Sequence, residues 1–149
     1  MMTLQERVGQ EIKAAMLAKE ADRLGTLRLL KSAIGYAQIE RKTENLSDAE
    51  IVAIVQKEIK KRRDSIEQFE KGNRLELAAK EKLEVGVLEK FLPQPLSAEE
   101  LESLVRATVR ETGATNKREM GAVIKAVQAK AAGRADGKTI SALVGRLLP

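Results

Sequence analysis

Hydrophobic residues recur along this chain every three or four positions, which is the period of an amphipathic helix. The longest line of such positions runs through Ile51, Val55, Ile59, Arg62, Ile66 and Phe69. No stretch alternates apolar and polar residues with the period of two that marks a strand. The pattern therefore predicts an all-α protein. Within the longest line, Arg62 is expected to lay its stem along apolar neighbours and keep its charged head in water.

The N-terminal part of the chain is predicted to form four helices. Their expected spans are about 3–20, 22–42, 47–72 and 73–92. The expected N-caps are Thr3, Asp22, Ser47 and Asn73, because a short polar side chain can accept from the free N–H groups of a first turn. The fourth helix is expected to present Leu75, Ala79, Leu83 and Leu88 on one face. Tyr36 in the second helix is expected to be half-buried.

A proline pair marks the predicted domain boundary. Pro93-Gln94-Pro95 cannot continue a helix, because each ring removes an N–H donor and clashes with the preceding turn. The chain is thus predicted to comprise a helical domain at 1–92, a linker at 93–95 and a three-helix domain at 96–149. Ser97 with Glu100 forms a capping box at the start of the second domain, and Thr115 or Asn116 is expected to cap its second helix.

The stretch from Met120 to Leu148 is predicted to be two short helices joined by a corner. Gly133 follows the last apolar position of the first helix, where a left-handed residue commonly ends a helix. Asp136 then stands at the N-cap position of the second helix. Its apolar face is Ile140, Leu143, Val144 and Leu147.

Positive charge is concentrated in this last part of the chain. Of 27 basic and 22 acidic residues, seven and two lie in 117–149, so this segment carries the whole net charge of +5 and the rest balances. Lys117, Lys125, Lys130 and Arg146 have no acid three or four positions away that could neutralise them within a helix. Three interpretations stay open: an ordinary solvated helix face, a nucleic-acid surface, or a surface for an acidic protein.

A second basic run lies in the third helix. It comprises Lys57, Lys60, Lys61, Arg62 and Arg63. All but Lys57 have an acid at helical spacing, so a solvated face with internal ion pairs is the favoured interpretation.

Composition removes several kinds of chemistry. The chain contains no cysteine and no histidine, so it lacks thiolate ligands, the commonest metal ligand and the usual general base. No phosphate-binding loop or nucleophile elbow is present. We therefore predict no catalytic residue, no metal and no cofactor. Its start has no apolar segment typical of a secretory signal, and no run approaches the ~20 apolar residues of a membrane span. A cytoplasmic protein without membrane association is expected.

Three segments of the basic region carry a family resemblance: Met120-Gly121, Gly133 to Asp136, and Ile140 to Leu148. They resemble the tail domain of the B subunit of the glutamyl/aspartyl-tRNA amidotransferase. Together with the segments 28–34, 60–74 and 91–97, they make the whole chain similar to the free-standing YqeY-like proteins. A lysine commonly stands in the amidotransferase where this chain has Arg134, and Asn-Pro where it has Asp136-Gly137; both replacements preserve the physical role of the position.

The resemblance implies a non-catalytic tRNA-binding or tRNA-adaptor module. Its candidate contact residues are Lys117, Arg118, Lys125, Lys130, Arg134 and Lys138. With so few aromatic residues, recognition would be of phosphates and shape. A carbon–nitrogen ligase label, with glutamine as amido-N-donor, would be inherited by similarity, because the catalytic parts of the amidotransferase lie elsewhere. The alternative is a module that docks a protein partner of tRNA-dependent metabolism through its helical surfaces. Sequence-specific DNA binding at the GRADG corner is disfavoured, since alanine and glycine flank it.

Overall fold

The computed structural model describes residues 1–149, which form seven α-helices and one short 3₁₀ turn with no strand. The predicted all-α class is confirmed. The chain divides into two compact units, Met1–Leu92 and Pro93–Pro149. None of the helices combines the length and apolar character that a membrane crossing requires.

Unit 1 contains the first four helices. They are α1 Leu4–Leu17, α2 Ala21–Arg41, α3 Asp48–Lys71 and α4 Leu75–Glu89. Two of the predicted caps are confirmed, since the Thr3 hydroxyl accepts from the Glu6 N–H at 3.1 Å and the Ser47 hydroxyl accepts from the Glu50 N–H at 3.2 Å. At 24 residues, α3 is about 36 Å long.

The core of unit 1 is aliphatic, with one aromatic ring. Its buried residues are Val8, Ala15, Leu27, Leu30, Ile34, Leu46, Ile51, Val55, Ile59, Val85, Leu88 and Phe91. Arg7 closes the end of this core, because its guanidinium donates to the Lys90 carbonyl at 2.8 Å and lies 5.1 Å from the centroid of the Phe91 ring. Residues that are 83 positions apart in sequence thereby fix α1 against the end of α4.

Two predicted caps in unit 1 are wrong. Asp22 lies inside the first turn of α2, and Glu20 stands at the cap position without a side-chain hydrogen bond. Lys19, at φ 57°, ends α1, and α2 therefore begins two residues later, at Ala21. Asn73 is likewise in the left-handed region, at φ 56°, and Arg74 precedes α4 without a side-chain cap. Asp22 therefore occupies a first turn, and Asn73 reverses the chain.

Three expectations about burial in unit 1 are also wrong. Leu75, Ala79 and Leu83 of α4 are exposed, whereas Leu88 is buried as predicted, together with Ala78 and Val85. Tyr36 is 77% exposed. Arg62 is only 8% exposed, so its charged head is not in water.

Unit 2 contains α5 Ala98–Thr112, a 3₁₀ turn at Lys117–Glu119, α6 Met120–Ala131 and α7 Gly137–Leu147. The predicted capping box is complete: the Ser97 hydroxyl accepts from the Glu100 N–H, and the Glu100 carboxylate accepts from the Ser97 N–H. Of the two caps considered for the next element, Asn116 is used, and it caps the 3₁₀ turn. The buried core consists of Leu101, Val105, Val123, Val127, Ala131, Ile140, Val144 and Leu148.

The corner between α6 and α7 differs from prediction in one position. Ala132 is already left-handed, at φ 48°, and Gly133 follows it at φ 86°. Two consecutive left-handed residues turn the chain, where one glycine was predicted. Asp136 caps α7 as predicted, its carboxylate accepting from the Thr139 N–H at 2.7 Å.

Candidate nucleic-acid interface

Arg134 fastens the corner of unit 2 to the start of that unit. Its Nε donates to the Gln94 carbonyl at 2.8 Å, while its own carbonyl accepts from the Leu96 N–H at 2.8 Å. A terminal nitrogen of the guanidinium lies 4.0 Å from the Glu100 carboxylate. The predicted linker is therefore hydrogen-bonded into unit 2, and the Arg134 side chain is committed to a contact within the protein.

Glu100 receives several interactions at this point. Hydrogen bonds from the Ser97 backbone and then its side chain lower the pKa of Glu100, and Arg134 adds a smaller attraction in the same direction. The carboxylate thus stays charged beside Arg134 and reduces the local excess of positive charge.

Lys130 also has an acidic partner, and that partner is distant in sequence. Its ammonium forms an ion pair with Glu111 of α5 and lies 3.5 Å from the Thr108 hydroxyl. Glu111 is 19 positions away in the chain, so helical spacing could not show this pair. Lys130 and Arg134 both line a shallow groove that Glu99 and Glu100 also border. This groove is mixed in charge.

The other four candidate residues make no ion pair. Lys117 and Arg118 lie on the 3₁₀ turn, Lys125 on α6 and Lys138 in the first turn of α7. All four are exposed. The Asn116 cap orders the turn by accepting from the Arg118 N–H at 2.9 Å, and Asp136 orders the start of α7 in the same way. Structured backbone thus carries four cations that are free to meet an external anion.

Two further cations of unit 2 have the same property. Arg110, in the last turn of α5, and Arg146, in the last turn of α7, are exposed and form no ion pair. Arg110 was not among the predicted contact residues. The search for acids at helical spacing would have found it, since no acid lies three or four positions away.

Four of the five cations in the basic run of α3 have acidic partners within unit 1, and Lys57 forms no ion pair. Lys60 pairs with Asp64 at 3.1 Å, Lys61 with Glu58 at 3.2 Å, and Arg63 approaches Glu89 of α4 at 3.6 Å. The predicted internal pairs are present for Lys60, Lys61 and Arg62, although Arg62 is buried and Arg63 takes a partner from another helix. The run of α3, which is mostly paired, thus differs from the four cations of unit 2, which have no acidic partner.

The described residues include no group of three or more acidic, histidine or cysteine side chains that could hold a metal ion. What the surface of unit 2 can do chemically is attract anions, which its free ammonium and guanidinium groups do without covalent chemistry.

Comparison with known families decides the relationship of the chain. The YqeY-like protein family matches residues 5–148. The chain belongs to this family. The match includes both units, so the four helices of unit 1 are as much part of the family pattern as the basic unit 2.

Curated relatives of this YqeY-like chain include proteins of several yeasts. An uncharacterised protein of Schizosaccharomyces pombe is 35% identical over 94 residues, which is 63% of this chain and 76% of that protein. Altered inheritance of mitochondria protein 41 of Lachancea thermotolerans is 32% identical over 109 residues, or 72% and 58% of the two chains. Its Kluyveromyces lactis counterpart is 37% identical over 82 residues, or 55% and 44%. The match spans about half the length of these two mitochondrial relatives.

These relatives correct one expectation. A cytoplasmic location was expected for this YqeY-like chain, but the names of the Lachancea and Kluyveromyces proteins describe them as mitochondrial. The prediction of a cytoplasmic protein is therefore contradicted. Neither the family description nor these names states a catalytic activity.

Proposed function

We propose that this YqeY-like chain is a non-catalytic tRNA-binding module whose contact surface lies on unit 2. The observation that carries the proposal is the set of four exposed cations at Lys117, Arg118, Lys125 and Lys138, none of which has a carboxylate partner. Each could neutralise a phosphate, and binding would release the counterions of the RNA.

The position of Lys138 supports an external anion. It lies in the first turn of α7, which contains no acidic residue. A cation at this end opposes the helix dipole and costs some helix stability. Since the charge of Lys138 does not stabilise the helix, binding of an external anion would explain a lysine at this position.

The expected mode of recognition is contact with phosphates. Unit 2 contains no aromatic residue at all, so it has no platform on which a base could stack. Positive charge on ordered backbone suits the regular phosphate spacing of a folded RNA better than the bases of a single strand. The module would hold the body of a tRNA and leave chemistry to other proteins.

The test is tRNA binding by the full chain at several salt concentrations, measured by filter retention. Since each phosphate contact contributes a log–log slope of about 0.7 to 0.9, three or four contacts give a slope near −3. We expect the variant with Lys117→Ala, Arg118→Ala, Lys125→Ala and Lys138→Ala to flatten that slope by about three units, which removes most of it. Because the named relatives are mitochondrial, the RNA panel includes mitochondrial as well as bacterial tRNA transcripts.

The matched control removes the same charge from unit 1. It combines Lys60→Ala, Lys61→Ala, Arg63→Ala and Lys82→Ala, each of which already has an acidic partner. This control should change the slope by much less. An equal loss in both variants would show an effect of net charge alone. Loss in the control only would place the site in unit 1, and wild-type retention that does not respond to salt would reject the proposal.

A further inference from the structure

A second surface, on α2, has the pattern of a helix–helix seam with nothing packed on it. Gly25, Leu29, Ser32, Tyr36 and Ile39 follow one another at alternating steps of four and three residues, which aligns them along one face of a helix. Leu29 is 55% exposed, and Tyr36 and Ile39 are each 77% exposed. The opposite face of the same helix fills the core with Leu27, Leu30 and Ile34. Thus α2 is apolar on two sides, and one of them is uncovered.

Two glycines in α2 have no explanation within unit 1. Glycine in a helix interior is destabilising relative to alanine. A Cβ added at Gly25 or at Gly35 would meet no atom within 4 Å, so neither residue is needed for packing inside the protein. Each lies one turn before a large exposed apolar residue, Leu29 and Ile39 respectively. Because a glycine has no side chain, each one leaves a depression next to the large residue that follows it. Another helix could approach closely at these depressions.

The charge on this face is one-sided. From Arg23 to Ile39 the helix contains no acidic residue. Arg28 and Lys31 are exposed beside the seam and form no ion pair, and Asp22 and Glu40 lie only at the two ends of the helix. A second copy of the chain would place these cations against each other, which is unfavourable. A partner with acidic residues at the edge of its apolar face would neutralise them.

We infer that this α2 seam, comprising residues 25–39, docks an amphipathic helix of a partner protein that carries acidic residues beside its apolar stripe. The apolar side chains of the partner lie over Gly25 and Gly35, and its carboxylates meet Arg28 and Lys31. This inference is independent of RNA binding, because it uses a different unit and a different kind of contact.

The experiment titrates the isotopically labelled full chain with synthetic peptides and follows backbone amide shifts by NMR. The probe is an alanine-based helical peptide of about 20 residues, long enough to hold a helix, with leucines at seam spacing and glutamates beside them. Two control peptides replace the glutamates with lysines or shuffle the leucines. We expect shifts along 25–39 and affinity at least about tenfold higher for the glutamate peptide than for either control.

Two sets of variants test the contact residues. The double variant Tyr36→Ala with Ile39→Ala should lower the affinity for the peptide by about tenfold, because large exposed side chains dominate the binding energy of such contacts. Leu75→Ala with Leu83→Ala removes two comparably exposed leucines from α4 and should leave affinity unchanged. Gly25→Ala and Gly35→Ala should raise the melting temperature of the free protein and weaken its binding of the peptide. Higher stability combined with weaker binding is specific to docking at the glycines.

Several results would overturn the inference. Shifts that map to the cations of unit 2 would show the glutamate peptide acting as a mere polyanion. Equal affinity for the lysine peptide would remove the role of Arg28 and Lys31. Binding to vesicles of anionic phospholipid without peptide binding would make the face a lipid contact, and concentration-dependent self-association lost in Tyr36→Ala would make the second copy its occupant.

Discussion

At the scale of single residues, the corner of unit 2 is held in an unfavourable backbone conformation. Ala132 adopts φ 48° immediately before Gly133 at φ 86°. An L-residue in the left-handed region brings its Cβ close to the backbone, at a cost of roughly 1 to 2 kcal/mol. Part of the folding free energy of unit 2 is therefore lost at Ala132, which is exposed and makes no side-chain contribution to the core.

Replacing Ala132 with glycine should stabilise the protein. The relief of strain exceeds the added flexibility of the unfolded chain, so we expect a gain of about 0.5 to 1 kcal/mol in the free energy of unfolding. Urea denaturation followed by circular dichroism measures it. The reciprocal change, Gly133→Ala, should lower stability. If Ala132→Gly is destabilising instead, then Ala132 does not hold the left-handed conformation in solution.

Side-chain roles could be predicted from the sequence only where the partner is local. Ser97 and Asp136 were identified as caps because each bonds a backbone group two or three positions away. Lys130 was predicted to be unpaired and Arg134 to be an RNA contact, yet their partners, Glu111 and Gln94, come from other parts of unit 2. Such pairs depend on helix packing, which spacing along one helix does not encode.

At the scale of elements, α3 and α4 share a buried ionic cluster. Arg62 of α3 lies 3.4 Å from the Glu58 carboxylate and 3.5 Å from the Glu84 carboxylate of α4. The sequence placed Arg62 on an apolar line but predicted a solvated head, because its partner on α4 is 22 positions away. A buried guanidinium with two carboxylates is stable only while those charges remain paired.

Glu81 extends this cluster unfavourably. Partial burial and then the nearby Glu84 raise the pKa of Glu81, while Arg62 and Lys80 lower it to a smaller extent. Because the pKa is raised in the folded state, the stabilisation linked to that proton is complete below the ordinary glutamate pKa and is lost as the pH rises through the folded value. Ionised Glu81 therefore weakens the α3–α4 pair at neutral pH.

Replacing Glu81 with glutamine should remove this penalty. We expect Glu81→Gln to be more stable than the parent protein at pH 7. The difference should shrink as the pH falls through the raised folded pKa, and should be lost below the ordinary glutamate pKa, where Glu81 is protonated in both states. Thermal melts of the two proteins across pH 3 to 8 provide the comparison. A difference that does not change with pH would mean that the effect is one of packing or helix propensity.

Prediction of elements succeeded where one face is clearly more apolar than the others. In α7 the predicted apolar face contains the buried Ile140 and Val144. In α4, apolar residues occur around the whole helix, so period alone could not choose between Leu75, Leu83 and the residues that are buried. The uncovered face of α2 was not predicted, since Tyr36 was the only residue on it that was considered and it was expected to be half-buried.

At the scale of the whole molecule, each unit contains its own core and its own means of neutralising charge. Apart from Lys57, the cations of α3 are paired inside unit 1, whereas four predicted contact residues of unit 2 are not. The net charge of +5 in 117–149 is thus an excess at the surface of one unit. The amount of this charge could be read from the sequence, but the loss of Lys130 and Arg134 to internal contacts could not.

Unit 2 should fold without unit 1, provided that its first residues are kept. Its core and corner are complete within Pro93–Pro149, and Gln94, Leu96 and Ser97 supply two hydrogen bonds to Arg134 and the cap of α5. We expect a fragment of 93–149 to show helical circular dichroism and a cooperative melt. A fragment of 98–149 loses the cap and both hydrogen bonds, each contributing about 1 kcal/mol, which is a large fraction of the stability of so small a unit. It should be largely unfolded at 25 °C.

If both fragments are equally helical, the contacts of Arg134 are unimportant for folding and that residue becomes available to RNA. If neither folds, unit 2 depends on residues 1–92.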